Sequence, residues 1–509
     1  MRLSASRLIS VGLLTAVLPT VSAHAANHGE VGRIRTVVTT DMEQDDLASL
    51  IRYLLYTPDL DTQGIIYSAS RYHWAGDGNG TLFYLPGREY NTSQTSWRWT
   101  GTRTIQDEVL AAYAKVYPNL RQHARFPSPE ELLATVKVGN TDFEGEFSHD
   151  TDGSNLIRSL LLDHDPRPVY LQAWGGTNTI ARALRSIEER FSNTRHWAQV
   201  QSTISNKAVI MASGFQDETY ADYISLKWPR IRVESAGSVA NTWGYNCNFT
   251  GKGNIRGLPN DHTYFTGEWY RANILKGPYG KLDRTWLDGQ HMPGDQLDGF
   301  GNLTTALAVD AWCPPQGPND YLGEGDDICF LPLLTTGLQD PSNPSLGGWG
   351  GRAIRNSSEP NLWNTVSEEK NQNGTEVPNY TSDRWISAVQ NDFAARIQWT
   401  LTPDYTEANH PPSVHIVGAD TVYASAGSSV RLTGTVSDPD GDDVAITWWQ
   451  YFEEGTYPGR VPITASGDQA LVTIPANATE GQTVSIILQG TDNGHFPLTR
   501  YDRVFIQVC

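Results

Sequence analysis

The chain has 509 residues and a formal net charge of −19, from 57 acidic and 38 basic side chains. That balance disfavours a nucleic-acid partner, since duplex binding relies on Lys and Arg to neutralise phosphates. Beyond the N-terminus no apolar run approaches the ~20 residues of a membrane-spanning helix, and the length suffices for two or three domains with separate cores.

The first 25 residues read as a processing signal. Arg2 and Arg7 supply a positive start, Leu8 to Val21 is a short apolar stretch broken by Pro19, and Ala23-His24-Ala25 offers a small-x-small cleavage site. Its removal takes the balance from −19 to −21 and predicts a secreted, extracellular chain of about 480 residues. Sequons at Asn79, Asn91, Asn248, Asn302, Asn356, Asn373, Asn379 and Asn477 fit a secretory route with surface glycans. Abundant Trp and Tyr with little Lys lean towards a carbohydrate-facing protein.

The apolar run Ile34-Arg35-Thr36-Val37-Val38 predicts a strand over 33–39, and Leu47, Leu50, Ile51, Leu54 and Leu55 predict a helix over 45–56. Between them Asp41, Glu43, Asp45 and Asp46 fall within six positions. An acidic helix N-terminus suits the helix dipole, which accounts for one or two such residues. Four carboxylates repel one another unless a cation or a hydroxyl-rich substrate sits among them. Further strands are expected over 64–68, 169–174 and 207–212. Helices are expected over 105–117, from the capping-box sequence Ser128-Pro129-Glu130-Glu131, over 178–191 and over 384–399. Alternation of strand and helix makes 33–405 an α/β domain with a largely parallel sheet. Ligands in such sheets bind beyond the C-terminal strand ends, where Asp41 to Asp46 should lie.

The texture changes at a proline-bearing linker over 406–413. Short alternating runs at 413–416, 429–436, 444–449, 470–474, 483–488 and 503–508 then predict an immunoglobulin-like β-sandwich over 414–509. Four cysteines, Cys247, Cys313, Cys329 and Cys509, are too widely spaced for a Cys-x-x-Cys site; Cys313–Cys329 would close the shortest disulfide loop, though spacing does not fix connectivity. In Gly347-Gly348-Trp349-Gly350-Gly351-Arg352 the tryptophan could stack on a sugar or sit in a core. Ser437-Asp438-Pro439-Asp440-Gly441-Asp442-Asp443 reads as a hairpin turn, similar to turns of calcium-tolerant sandwich modules. Of the adjacent Trp448 and Trp449, one should face inward, and the other could touch glycan. No His-x-x-x-His zinc spacing and no Gly-x-Ser-x-Gly elbow occurs.

The segment Thr39-Thr40-Asp41-Met42-Glu43-Gln44-Asp45-Asp46 resembles the N-terminal Asp-x-Asp-x-x-x-Asp-Asp motif of nucleoside hydrolases. Trp174-Gly175-Gly176-Thr177-Asn178-Thr179-Ile180-Ala181 is similar to the second signature of that family. A closer resemblance is to a secreted nucleoside-hydrolase-like family described as cellulose-binding, with a C-terminal β-sandwich. It is carried by Gly214-Phe215-Gln216-Asp217-Glu218, Gly323-Glu324-Gly325-Asp326, the glycine-rich segment 343–352 and Asn391-Asp392-Phe393-Ala394-Ala395-Arg396. The resemblance implies an open, mostly parallel sheet with flanking helices and a Ca2+ cofactor. Asp41 would be a calcium ligand and the base acting on water, Asp46 the bidentate ligand, Asn178 the donor of a backbone carbonyl and Asp326 the late ligand. Asp45 would bind sugar hydroxyls. Glu43, Arg71, Trp74, Gln216, Asp217, Glu324 and Trp349 complete the expected substrate contacts.

Three departures stand out: Thr39 replaces the first Asp, Met42-Glu43 replaces a Pro-Gly turn, and Arg71 stands where an Asn grips ribose. With secretion, they disfavour a salvage nucleoside hydrolase. The leading expectation is a secreted hydrolase of glycosyl bonds in cellulose, a related plant polysaccharide or a glycoside, using calcium-activated water. The rival is a non-catalytic carbohydrate-binding protein on the same scaffold.

Overall fold

The computed structural model describes residues 32–235, 242–245, 261–302, 316–371 and 374–509. The expected signal at 1–25, the residues Cys247 and Cys313 (and with them the shortest disulfide), and the sequons at Asn248 and Asn373 lie outside the described residues.

An eight-stranded sheet organises the first part, in the order β3-β2-β1-β4-β5-β6-β8-β7. Its strands are β1 Ile34–Thr40, β2 Leu60–Tyr67, β3 Val136–Val138, β4 Val169–Ala173, β5 Ala208–Ala212, β6 Arg232–Ser235, β7 Ala353–Arg355 and β8 Leu362–Thr365. All pairings are parallel except β7 with β8. Strand β1 is buried along nearly its whole length, because helices cover both faces of the sheet. Alternate residues enter opposite cores: Val38, Ile65, Tyr170 and Met211 on one side, Val37, Ile66, Leu171 and Ile210 on the other.

From β1 the chain builds β2 and β3 on one flank, then crosses to β4 on the other. The end of β1 is therefore a topological switch point, where neighbouring connections diverge and leave a crevice. The helix Gln44–Leu55 starts there and is buried throughout. The expected capping box forms: Ser128 accepts from the Glu131 N–H, and the Glu131 side chain accepts from the Ser128 N–H. The helix expected over 105–117 instead opens with a wide π-turn at Ile105–Val109 and runs on to His123 through Pro118.

A separate antiparallel pair, β9 Glu368–Lys370 and β10 Glu376–Pro378, follows the large sheet, and the second part is a sandwich of two four-stranded sheets. One holds β11 Ser413–Ile416, β13 Ser429–Ser437, β16 Gln469–Thr473 and β15 Ile463–Ser466; the other holds β12 Thr421–Ala424, β18 Thr499–Val508, β17 Thr483–Thr491 and β14 Ala445–Gln450. The four-residue strands β12 and β15 add to the expected six.

The two parts share one core. Tyr451, Ile487, Leu498 and Tyr501 of the sandwich join the cluster that contains Trp385, Val389 and Phe393 of the α/β part. Arg500 pairs with Asp392 at 2.9 Å, and the Tyr501 N–H donates to the Thr336 carbonyl at 2.9 Å. This junction corrects two aromatic expectations. Trp448 faces the sandwich core, as one of the pair must, but Trp449 packs against Trp385 rather than facing glycan. Trp349 is wholly buried in the shared core beneath Arg500, so it cannot stack on a sugar here.

Candidate functional site

The acidic run leaves β1 and turns sharply into the helix. Met42 makes that turn in the left-handed region, φ 57°, where a side chain is strained. Its carbonyl accepts from Thr100 Oγ1 at 3.1 Å and its N–H donates to Thr40 Oγ1 at 2.9 Å. The turn that glycine would make easily is therefore held by its neighbours, and Glu43 becomes the residue before the helix.

Asp41 and Asp46 are fully buried, Asp326 is 2% exposed and Asp45 is 7% exposed. Thr40 Oγ1 donates to Asp46 Oδ1 and the Tyr245 hydroxyl to Asp45 Oδ1. Among the described residues, Oδ2 of Asp46 and both oxygens of Asp41 have no close hydrogen-bond partner; His73 Nδ1 makes a long contact to Asp41 Oδ2 at 3.5 Å. Buried charge without partners is costly unless something else satisfies it. Asp326 reaches the group from a distant loop, its N–H donating to Ser49 Oγ of the 44–55 helix at 3.3 Å.

Electrostatics divide the acids. Burial raises Asp46 and Asp326, and mutual repulsion adds to it: Asp326, Asp41 and Asp45 act on Asp46, while Asp45, Asp41 and Glu43 act on Asp326. Glu43 is also pushed well above the usual range, by burial and then by Asp45, Asp41 and Asp46. Burial works the same way on Asp41, but hydrogen bonding and charge from His73 outweigh it and hold Asp41 below its ordinary value.

His73 is the residue that motif reading passed over. Fully buried on the loop after β2, its Nδ1 lies 3.5 Å from both Asp41 and Glu43, and its Nε2 lies 3.3 Å from Asp295. Arg98 grips Asp295 with both Nε (2.8 Å) and Nη2 (3.0 Å). The chain Arg98–Asp295–His73–Asp41 draws on segments far apart in sequence. The only signal available was the closeness of His73 to Arg71 and Trp74.

Other expected site residues sit elsewhere. Gly175 lies against Asp41: a Cβ at Gly175 would fall 2.9 Å from Asp41 Cγ. The Asn178 side chain is occupied by Ser68, Asn140 and Glu146. Asp217 accepts from the Asn178 N–H (3.0 Å), Thr177 and Thr219, and so secures the start of the 178–191 helix. Glu324 is buried and pairs with Arg52 of the 44–55 helix at 2.5 Å. Trp74 fills a satellite core with Tyr90 and Trp97. Arg71 is half-buried and turns to the Phe215 carbonyl and Glu218, while Gln216 donates to the Trp174 carbonyl at 2.8 Å. Thr39, where the motif has its first Asp, donates to the Gln172 carbonyl at 3.0 Å and serves the sheet.

The donor set is rich in carboxylate oxygen, with two buried side chains left incompletely partnered. That chemistry fits a hard divalent cation such as calcium, and among the described residues the ligand atoms that converge within 4.8 Å here are those of Asp41, Glu43 and His73 and those of Glu43, Asp45 and Asp46.

The fold agrees with what the chain is similar to. The model of a family described as "Cellulose-binding Sde182, nucleoside hydrolase-like domain" matches residues 35–353, and one described as "Cellulose-binding protein Sde0182, C-terminal domain" matches residues 429–508. Among solved structures, a nucleoside hydrolase-related hypothetical protein from Saccharophagus degradans, associated with carbohydrate metabolism, is 28% identical with a TM-score of 0.68, over 94% of this chain and 100% of that one. A plant nucleoside hydrolase, PpNRh1, is 9% identical with a TM-score of 0.34, over 72% of this chain and 99% of its own. A search of curated proteins gives no match. With more than half of its length matched, the chain belongs to the nucleoside hydrolase-like Sde182 family, described as cellulose-binding, and carries the C-terminal domain of that group after it.

Proposed function

We propose that the protein hydrolyses a glycosyl bond of a carbohydrate at the cluster after β1, with calcium as cofactor. The observation that carries this reading is the set of orphaned buried oxygens on Asp41 and Asp46 beside Asp326. Asp41, Asp46 and Asp326 would hold the cation, which when bound supplies Lewis acidity towards water. Asp41, kept ionised by His73, is the carboxylate suited to accept a proton from the attacking water. Asp45 would accept hydrogen bonds from sugar hydroxyls, with Tyr245 steadying it. His73, braced by Asp295 and Arg98, would fix the orientation of Asp41 and keep its proton affinity low.

A non-catalytic carbohydrate-binding role has its own support. Glu43 brings a fifth carboxylate to the site, and Thr39 is spent on the sheet. Family and structural neighbour both point to carbohydrate without naming a reaction. Product release from soluble cello-oligosaccharides and plant glycosides, followed with calcium and with chelator, separates the two. The hydrolase predicts calcium-dependent products that vanish in Asp41→Asn while glycan binding persists; saturable binding with no product from the native protein would assign the binding role.

A further inference from the structure

The sandwich carries a second group of carboxylates, remote from β1, at the end where the linker enters. Asp438, Asp440 and Asp442 each present an oxygen within 4.8 Å of the others. All lie on the turn between β13 and β14. The pairing of Ala445 with Thr491 brings the next turn, starting at Asp492, alongside, and the Asp443 N–H donates to Asn493 Oδ1 at 3.0 Å, tying the two turns together.

Asp492 is the informative member. It is 3% exposed, and its Oδ1 accepts from Asn409 Nδ2, the Gly494 N–H and the Leu498 N–H. Its Oδ2 is buried and has no hydrogen-bond partner among the described residues, and neither has Oδ2 of Asp438. Burial raises the pKa of Asp492, and the charge of Asp438 adds to it, so the orphaned oxygen shares the field of the acidic turn. Asp440 and Asp442 are likewise raised, by burial and then by their acidic neighbours. His410 places Nδ1 3.0 Å from Asp440, but burial, with the charge of His123, pushes that imidazole down to about 3, so it brings no balancing charge. All the candidate donors are oxygens, which suits a hard cation taking six to eight of them.

We propose that Asp438, Asp440, Asp442 and Asp492 form a calcium-class cation site that fastens the linker to the sandwich. Two of its members already grip that linker. Asp440 accepts the His410 N–H at 2.6 Å, and Asp492 accepts from Asn409 at 2.9 Å. The linker in turn is seated on the α/β part: the Asn409 carbonyl accepts from Trp399 Nε1 at 2.9 Å, and His410 lies stacked against Tyr405 and Trp399. A cation drawing the four carboxylates together would stiffen that seat.

Calorimetric titration of Ca2+ into the metal-stripped, full-length Asp46→Asn variant tests this independently of the β1 cluster. One equivalent should still bind, and thermal unfolding of that variant should move upward with Ca2+. Adding Asp438→Asn and Asp442→Asn should weaken the binding at least tenfold and remove the upward shift. Asp492→Asn guards against simple misfolding: it keeps the acceptor Oδ1 and alters only the orphaned position, so metal-free unfolding should stay level or rise while Ca2+ binding weakens. Absence of Ca2+ binding in Asp46→Asn, or unchanged binding when the sandwich aspartates are replaced, would overturn the proposal.

Discussion

At the residue scale, Asp46 behaves unlike an ordinary buried acid. Among the described residues its hydrogen-bond donor is Thr40 Oγ1, and three neighbouring carboxylates oppose its charge. Asp46→Asn keeps an acceptor for Thr40 and removes one repelling charge. In chelator the variant should therefore unfold at the same temperature as the native protein or higher; with calcium the order should reverse, because only the native protein gains binding energy. Thermal unfolding of both proteins in the two buffers checks the crossover. His73 invites a second substitution. His73→Gln removes the positive neighbour that holds Asp41 down, so the pH at which carbohydrate turnover falls on the acid side should move upward, as read from a pH–rate profile. The acidic run was legible because all four carboxylates lie in one short segment. Its support was not, because His73, Arg98 and Asp295 are gathered by loop paths that carry no local pattern.

At the element scale, β6 places Glu234 in a cleft lined by Cys329, Gln339 and the glycine-rich segment that includes Gly347, Gly350 and Gly351. Burial pushes this carboxyl from its ordinary 4.5 to about 7, with Arg232 opposing the shift. Below about pH 4.5 the acid is protonated both folded and unfolded. Between there and about 7 the unfolded chain gives up its proton first, so stability falls as pH rises. The loss amounts to about 3 kcal/mol. Glu234→Gln should flatten that part of the profile, as chemical unfolding across pH 4–8 would reveal. Strands of five or more residues between helices were legible from their apolar runs, as β1, β4 and β5 show. The three- and four-residue strands β3, β6, β7 and β8 were not, because they are too short for a period to emerge and owe their pairing to the sheet already present.

At the scale of the whole molecule, two domains read from the change in sequence texture are packed through a common core. Gly337 shows how closely: with φ 94°, a Cβ there would fall 1.8 Å from the Tyr501 carbonyl oxygen, beside the Tyr501–Thr336 hydrogen bond. Gly337→Ala should cost about 1–3 kcal/mol from backbone strain alone, with a further penalty for the clash. Differential scanning calorimetry should find one unfolding transition in the native protein and a lowered or divided one in the variant. The sequence announces the sandwich through its alternation, but the junction was hidden. Trp349 and Trp449 look like surface aromatics until Trp385, Tyr501 and Arg500 cover them.

The central claim is that the acids after β1 surround a cation on which a sugar is worked. Crystals grown with calcium, and with manganese for its anomalous signal, test it most directly. One fully occupied peak is expected within this cluster, with oxygens of Asp41, Asp46 and Asp326 at about 2.3–2.6 Å in the calcium form. Density absent from that position at saturating metal, with the three carboxylates bridged only by water or protons, would contradict it.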